Sequence, residues 1–163
     1  MKATRTAVKS RAKEDLLSLR LWLQLMKCSK AVEAGVGGHL RRSYGQSLGR
    51  FDVLSQLFRL DAGWATVGEI AGMVMASSGN ITGLLDRMEA DGLIERRASP
   101  HDRRSQQIRM TARGRALFDE MADDHARWID AALDGIPVAD KKRLIELLAR
   151  VRGTFEANAG ELD

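Results

Sequence analysis

Apolar residues recur at helical spacing in several separate stretches of the chain. Leu16, Leu19, Leu23 and Met26, followed by the run from Cys28 to Val32, predict a helix over about residues 12–35. Gly35, Gly37 and Gly38 are expected to break it. Residues 39–44 then lead into a second helical pattern through Phe51, Leu54, Leu57, Phe58 and Leu60, which closes at residues 61–63. Thr66-Val67-Gly68-Glu69 has the spacing of a capping box, in which the hydroxyl and the carboxylate each satisfy an early amide. It predicts a short helix with Ile70, Ala71 and Val74 inward. Ser77-Ser78 offers a cap for a further helix that carries Ile81, Leu84, Leu85 and Met88 on one face.

Gly92 stops that helix, and residues 93–97 and 107–111 read as the two strands of a hairpin turning at residues 98–102. A long pattern from Thr111 runs through Leu117, Phe118, Met121, Trp128, Ile129 and Leu133 to Gly135. Pro137 opens a last helix with Leu144, Ile145, Leu147, Leu148 and Val151. Two short helices joined by a tight turn and followed by a hairpin make a winged helix-turn-helix. The expected fold class is therefore mainly α with a small β-hairpin wing, α+β in kind, with flanking dimerisation helices. One domain over residues 14–163 is expected, with the winged helix at about 45–111 and the dimerisation helices at about 14–35 and 111–157. The flanking helices carry more apolar surface than a small winged domain covers, which predicts a homodimer.

Composition adds the class of partner. The 163 residues carry a net charge of +4, with 29% charged and 44% hydrophobic positions, as in an ordinary helix-rich globular protein. The positive charge is clustered. Lys2, Arg5, Lys9, Arg11 and Lys13 form an acid-free start, and Arg96, Arg97, Arg103, Arg104, Arg109, Arg113 and Arg115 surround the hairpin. The first cluster, over residues 1–13, reads either as a flexible solvated arm or as an extra phosphate-binding arm. The second sits directly after a helix-turn-helix and favours nucleic acid.

Other chemistries find little support. The single cysteine, Cys28, excludes a disulfide framework and a CxxC metal site, and it fits a reducing cytoplasm. We expect no metal, no cofactor, no signal peptide and no membrane span. Gly45-Gln46-Ser47-Leu48-Gly49 matches GxSxG, but a nucleophile elbow needs a strand before its serine, and residues 38–44 are no apolar strand. His39, His101 and His125 are scattered over different elements. An enzyme is not expected.

The outward face of the second short helix carries the recognition chemistry. With Ile81, Leu84, Leu85 and Met88 inward, 100° steps put Gly79, Asn80, Thr82, Gly83 and Arg87 on or near the other side. Asn80 suits an adenine edge, Thr82 a thymine methyl or a phosphate, Ser77 and Ser78 the DNA backbone, and Arg87 a phosphate. Glycine is costly in a helix, by about 1 kcal/mol relative to alanine, and close approach to DNA explains Gly79 and Gly83. At the hairpin tip a guanidinium of Arg103 or Arg104 can enter a narrow minor groove, with Asp102 as a bidentate partner.

Residues 66–71, the run from Ser78 to Ile94, and the hairpin from Arg96 to Thr111 together resemble the MarR family of winged helix-turn-helix regulators. Phe51-Asp52-Val53-Leu54 resembles that family's second helix, so the likeness covers about residues 14–155. It implies a homodimeric transcriptional regulator, a repressor on double-stranded DNA with a palindromic operator, and it singles out Arg104 as the minor-groove reader with Asp102 as its orienter. It further implies a small-molecule effector bound between the dimerisation helices and the DNA-binding lobe, in segments that contain Trp22, Met26, His39, Arg41, Tyr44 and Phe51. The version Ser78-Gly79-Asn80-Ile81-Thr82-Gly83 resembles a branch linked to aromatic catabolism, which points to an aromatic acid or aromatic acyl-CoA. Two alternatives stand beside this reading. One is a redox-responsive regulator acting through Cys28, although Cys28 lies later in its helix than the sensing cysteine of that branch and is read here as a small core residue. The other is a winged-helix module used only for protein contacts.

Overall fold

The computed structural model of the chain describes residues 2–60, 63–74, 81–100 and 105–158, with side chains from residue 16 onward. The elements in chain order are α1 (Lys2–Tyr44), α2 (Leu48–Arg59), β1 (Ala65–Thr66), α3 (Val67–Met73), α4 (Ile81–Ala90), β2 (Ile94–Ala98), β3 (Gln106–Met110), α5 (Ala112–Ala132) and α6 (Val138–Asn158). The chain falls into two compact units, residues 1–122 and 123–163.

The first helix corrects one sequence expectation. It runs unbroken through Gly35, Gly37 and Gly38 to Tyr44, because Val36 and Leu40 on the same stretch are buried and offset the roughly 1 kcal/mol each glycine costs. Its backbone is also helical over residues 2–13, where a separate arm was expected; residues 2–34 hold neither glycine nor proline. The helix ends at Gly45, which takes φ +64 and donates its N–H to the Arg41 carbonyl at 3.1 Å. Ser47 then caps α2, its hydroxyl accepting from the Arg50 amide at 3.3 Å. The serine of the GxSxG match is thus a helix cap that follows a helix.

The core of the first unit is built from Leu40, Val53, Leu54, Leu57, Ile70, Leu85, Met88, Ile94, Ile108 and Met121, all buried. Of the α3 positions expected inward, Ile70 is buried and Val74 half-buried, whereas Ala71 is exposed. A seven-residue helix has room for one fully inward position, and the larger Ile70 takes it.

The wing is a three-stranded antiparallel sheet in the order β1-β3-β2. The hairpin was expected; the short β1 strand was not. Ala65 pairs with Ile108 and Thr66 with Gln107, while Arg96 pairs with Ile108 and Arg97 with Gln107. Side chains alternate across a strand, so Ala65, Ile94, Arg96 and Ile108 share the inner face. Glu95, Arg97, Gln107 and Arg109 share the outer one.

Two joints hold the wing in place. At the first, Gly92 takes φ +69 and ends α4 in a Schellman motif, with Gly92 N–H on the Glu89 carbonyl at 2.8 Å and Leu93 N–H on Met88 at 2.9 Å. At the second, the Thr111 hydroxyl donates to the Gly92 carbonyl at 2.7 Å and accepts from the Gly114 amide at 3.0 Å, capping α5. In the second unit, α6 follows Pro137, whose carbonyl accepts from Lys141 N–H at 3.0 Å, and none of its residues is buried.

Candidate nucleic-acid interface

The helix-turn-helix is α3 and α4. Its first helix starts on a complete capping box. Glu69 N–H donates to the Thr66 hydroxyl at 3.2 Å, and the Glu69 carboxylate accepts from Thr66 N–H at 2.7 Å and from the Thr66 hydroxyl at 2.9 Å. The backbone amide first, and the hydroxyl second, hold the Glu69 carboxyl below the usual glutamate range.

In α4, Leu84, Leu85 and Met88 are buried, Thr82 and Arg87 are exposed, and Gly83 is half-buried, so the polar side expected to meet bases faces solvent. Ser77, Ser78, Gly79 and Asn80, and at the wing tip Asp102, Arg103 and Arg104, lie outside the described residues. The structure therefore brings Thr82, Gly83 and Arg87 together on one helix. The wing ladder runs up to the tip on the other side, closed by Ser99 N–H on the Ser105 carbonyl at 2.9 Å.

Ion pairs that sequence reasoning missed tie these parts together. Arg96, on the inner face of β2, reaches Asp86 of α4 at 2.7 Å and Glu89 at 3.3 Å, with its own side chain only 13% exposed. Left unpaired, two carboxylates on this stretch of α4 would repel an anion. The Arg96 guanidinium offsets them and couples wing to helix. Arg50 of α2 pairs with Asp91 at 2.6 Å and donates to Gln46 at 3.1 Å, bracing the turn after α4. On the outer wing face, Arg97 and Arg109 lie over the Trp64 ring, 4.1 and 4.7 Å from its centroid, and Arg109 also pairs with Glu95. The arginines were visible as a cluster. Their pairing was not, because the partners sit on different elements and meet only through strand register or through the packing of neighbouring elements.

The residues expected around an effector divide into two groups. Tyr44 donates its hydroxyl to the Glu120 carbonyl at 3.2 Å, and the Phe51 ring stacks on Phe118 at 5.7 Å, so both lean on α5. Arg41 is exposed and His39 half-buried near the same end of α1. Trp22 and Met26 are exposed on α1, about 33 and about 27 Å from its Tyr44 end at about 1.5 Å per residue. Cys28, read from sequence as a small core residue, is exposed, and it lies on a stretch of α1 whose apolar neighbours Leu23, Met26 and Val32 are exposed as well.

Residues 47–106, the stretch from the α2 cap to the start of β3, match the model of the MarR family. The HTH-type transcriptional repressor YetL of Bacillus subtilis is 30% identical over 134 residues, covering 82% of this chain and 80% of its own. The chain belongs to the MarR family. The transcriptional activatory protein BadR of Rhodopseudomonas palustris is 31% identical over 151 residues, with 89% of this chain and 86% of BadR covered. Among solved folds, the MarR-family regulator Sco3205 of Streptomyces coelicolor, in complex with DNA, superposes with a TM-score of 0.74 at 20% identity, over 84% of this chain and 86% of that one. The organohalide-sensing regulator RdhR-CbdbA1625, in its 2,4-dichlorophenol-bound form, gives 0.74 at 20% identity, over 85% and 80%. As a MarR-family protein the chain is a DNA-binding transcriptional regulator and not an enzyme. No helix among the described residues is long and apolar enough to cross a membrane.

Proposed function

We propose that this regulator is a repressor that binds a palindromic operator as a homodimer and is released from it by an aromatic acid or its CoA thioester. The observation that carries the dimer is the apolar surface left open on the terminal helices. Leu16, Leu19, Leu23 and Met26 on α1 and Leu144, Ile145, Leu148 and Phe155 on α6 are all more than 40% exposed in the single chain. Burying a side chain of this size from full exposure is worth about 1.5–3 kcal/mol, and a second copy packed around a two-fold axis can supply such cover. The same axis sets two α4 helices against successive major grooves. There Ser77, Ser78, Gly79, Asn80, Thr82, Gly83 and Arg87 meet bases and backbone, and Arg104, oriented by Asp102 and flanked by Arg103, enters the minor groove.

We assign the effector to the junction of α1, α2 and α5 at His39, Arg41, Tyr44 and Phe51. Two of these already touch α5 and offer an aromatic wall, and an aromatic ligand accompanies the related fold of RdhR-CbdbA1625. Trp22 and Met26 join that site only where a second copy brings them to it. The test is a labelled duplex, selected by the protein from a random pool, challenged with benzoate, hydroxybenzoates and their CoA thioesters. Release at micromolar to millimolar concentrations supports the assignment. Retained binding with all of them, together with release by peroxide that a Cys28→Ser variant resists, replaces it with a redox switch at the exposed Cys28.

A further inference from the structure

On the outer face of the wing, one arginine has a charge that no described carboxylate takes up. Of the three arginines on the wing strands, Arg96 is used by Asp86 and Glu89, and Arg109 by Glu95. Among the described residues no carboxylate pairs with Arg97. Its Nε donates to Gln107 at 3.0 Å, and its guanidinium lies over the Trp64 ring, 4.1 Å from the centroid. The side chain remains exposed. Stacking on a ring, with one N–H fixed by an amide, orders a guanidinium while its outer N–H groups stay open to a ligand.

We propose that Arg97, positioned by Trp64 and Gln107, is a pre-ordered clamp for a phosphate of the DNA backbone beside the wing tip. The proposal rests on the operator reading above. Position selects DNA as the occupant. β2 is an edge strand of the sheet, the strand coupled to α4 through Arg96, and Arg97 is one residue from the last ladder pair before the tip. A duplex seated on α4 and entered by the tip passes this edge. The chemistry fits an anion approached from the side: a planar fork that binds two phosphate oxygens, with little side-chain entropy left to lose. No base edge is involved, so the contact adds affinity without sequence preference.

The experiment titrates the full-length protein with two duplexes of equal length, one selected from a random pool and one of unrelated mixed sequence, over a series of salt concentrations. Arg97→Ala is expected to weaken binding to both duplexes by a similar factor, about tenfold, and to lower the slope of log affinity against log salt by about one for each chain bound. Trp64→Leu keeps the charge but frees the side chain, so it is expected to weaken binding about threefold with the slope retained. In the Arg97→Ala background Trp64→Leu should have no further effect, an outcome a purely structural tryptophan would not give. Trp64→Phe, which keeps a ring, should restore most of the loss, and melting curves check that each variant folds. Wild-type affinity and slope for Arg97→Ala on both duplexes overturn the proposal, as does a loss confined to the selected duplex. Equal losses from Trp64→Leu with and without Arg97 overturn the positioning role. A wild-type protein that binds neither duplex overturns the operator reading, and this proposal with it.

Discussion

Arg96 of β2 meets Asp86 of α4 at 2.7 Å, and this pair, with Glu89 at 3.3 Å, couples the wing to the second helix of the helix-turn-helix. Because Arg96 is largely buried and its partners are about half exposed, the pair stands between a surface bridge of little worth and a buried one that is costly to break. Arg96→Ala is expected to cost about 1–2 kcal/mol in stability. Asp86→Asn should cost less, since Glu89 remains. Urea titrations of the two single variants and the double variant measure the coupling; strictly additive losses would mean that the contact contributes nothing.

A β-carbon on Gly114 would lie 2.1 Å from the Leu93 carbonyl oxygen, with Met110 also within 3.0 Å. The first turn of α5 approaches the start of β2 this closely because Thr111 fastens both to Gly92. Gly114→Ala therefore forces backbone apart, and we expect a loss of about 3 kcal/mol or more. Gly72→Ala is the control, since a β-carbon there meets open space, and it should be neutral or slightly stabilising. Thermal melts of the two variants decide it. Equal melting temperatures would show that the joint is not tight.

The capping box of α3 gives a pH dependence whose sign is fixed. The Glu69 carboxyl is held below its ordinary value of 4.5 by the Thr66 amide and hydroxyl, so the folded state binds its proton less readily than the unfolded state. Its contribution is complete above the unfolded value and is lost as pH falls through the lower folded one. A Glu69→Gln variant should thus be less stable than wild type at neutral pH, and the gap should close as pH falls below about 4.5. Melts across that range test it, and a gap that widens on acidification contradicts it. Thr66→Ala should cost about 1 kcal/mol at neutral pH.

Much of this arrangement was legible in the sequence, for reasons that differ by element. Thr66 and Glu69 announce the start of α3 because both halves of the capping box lie within one turn. Gly92 announces the end of α4 because a left-handed residue is needed there. The inward face of α4 follows from 3.6-residue spacing alone. The run through Gly35, Gly37 and Gly38 was misread because local propensity counts glycine as a breaker, while burial of Val36 and Leu40 outweighs it. β1 escaped notice because two residues show no alternation. Trp64 with Arg97, and Arg96 with Asp86, were invisible for another reason: strand pairing brings the first pair together across the wing, the packing of α4 against β2 brings the second, and composition encodes neither.

The central claim is that two copies of this chain read one two-fold-symmetric site through α4 and the wing. Light scattering of the protein on a duplex selected from a random pool, read together with the selected sequence, tests it directly. The account predicts two chains of 18.0 kDa per duplex and an inverted repeat whose half-sites lie about 34–36 Å apart, one turn of DNA. One chain of 18.0 kDa per duplex, or a selected sequence without two-fold symmetry, would contradict it.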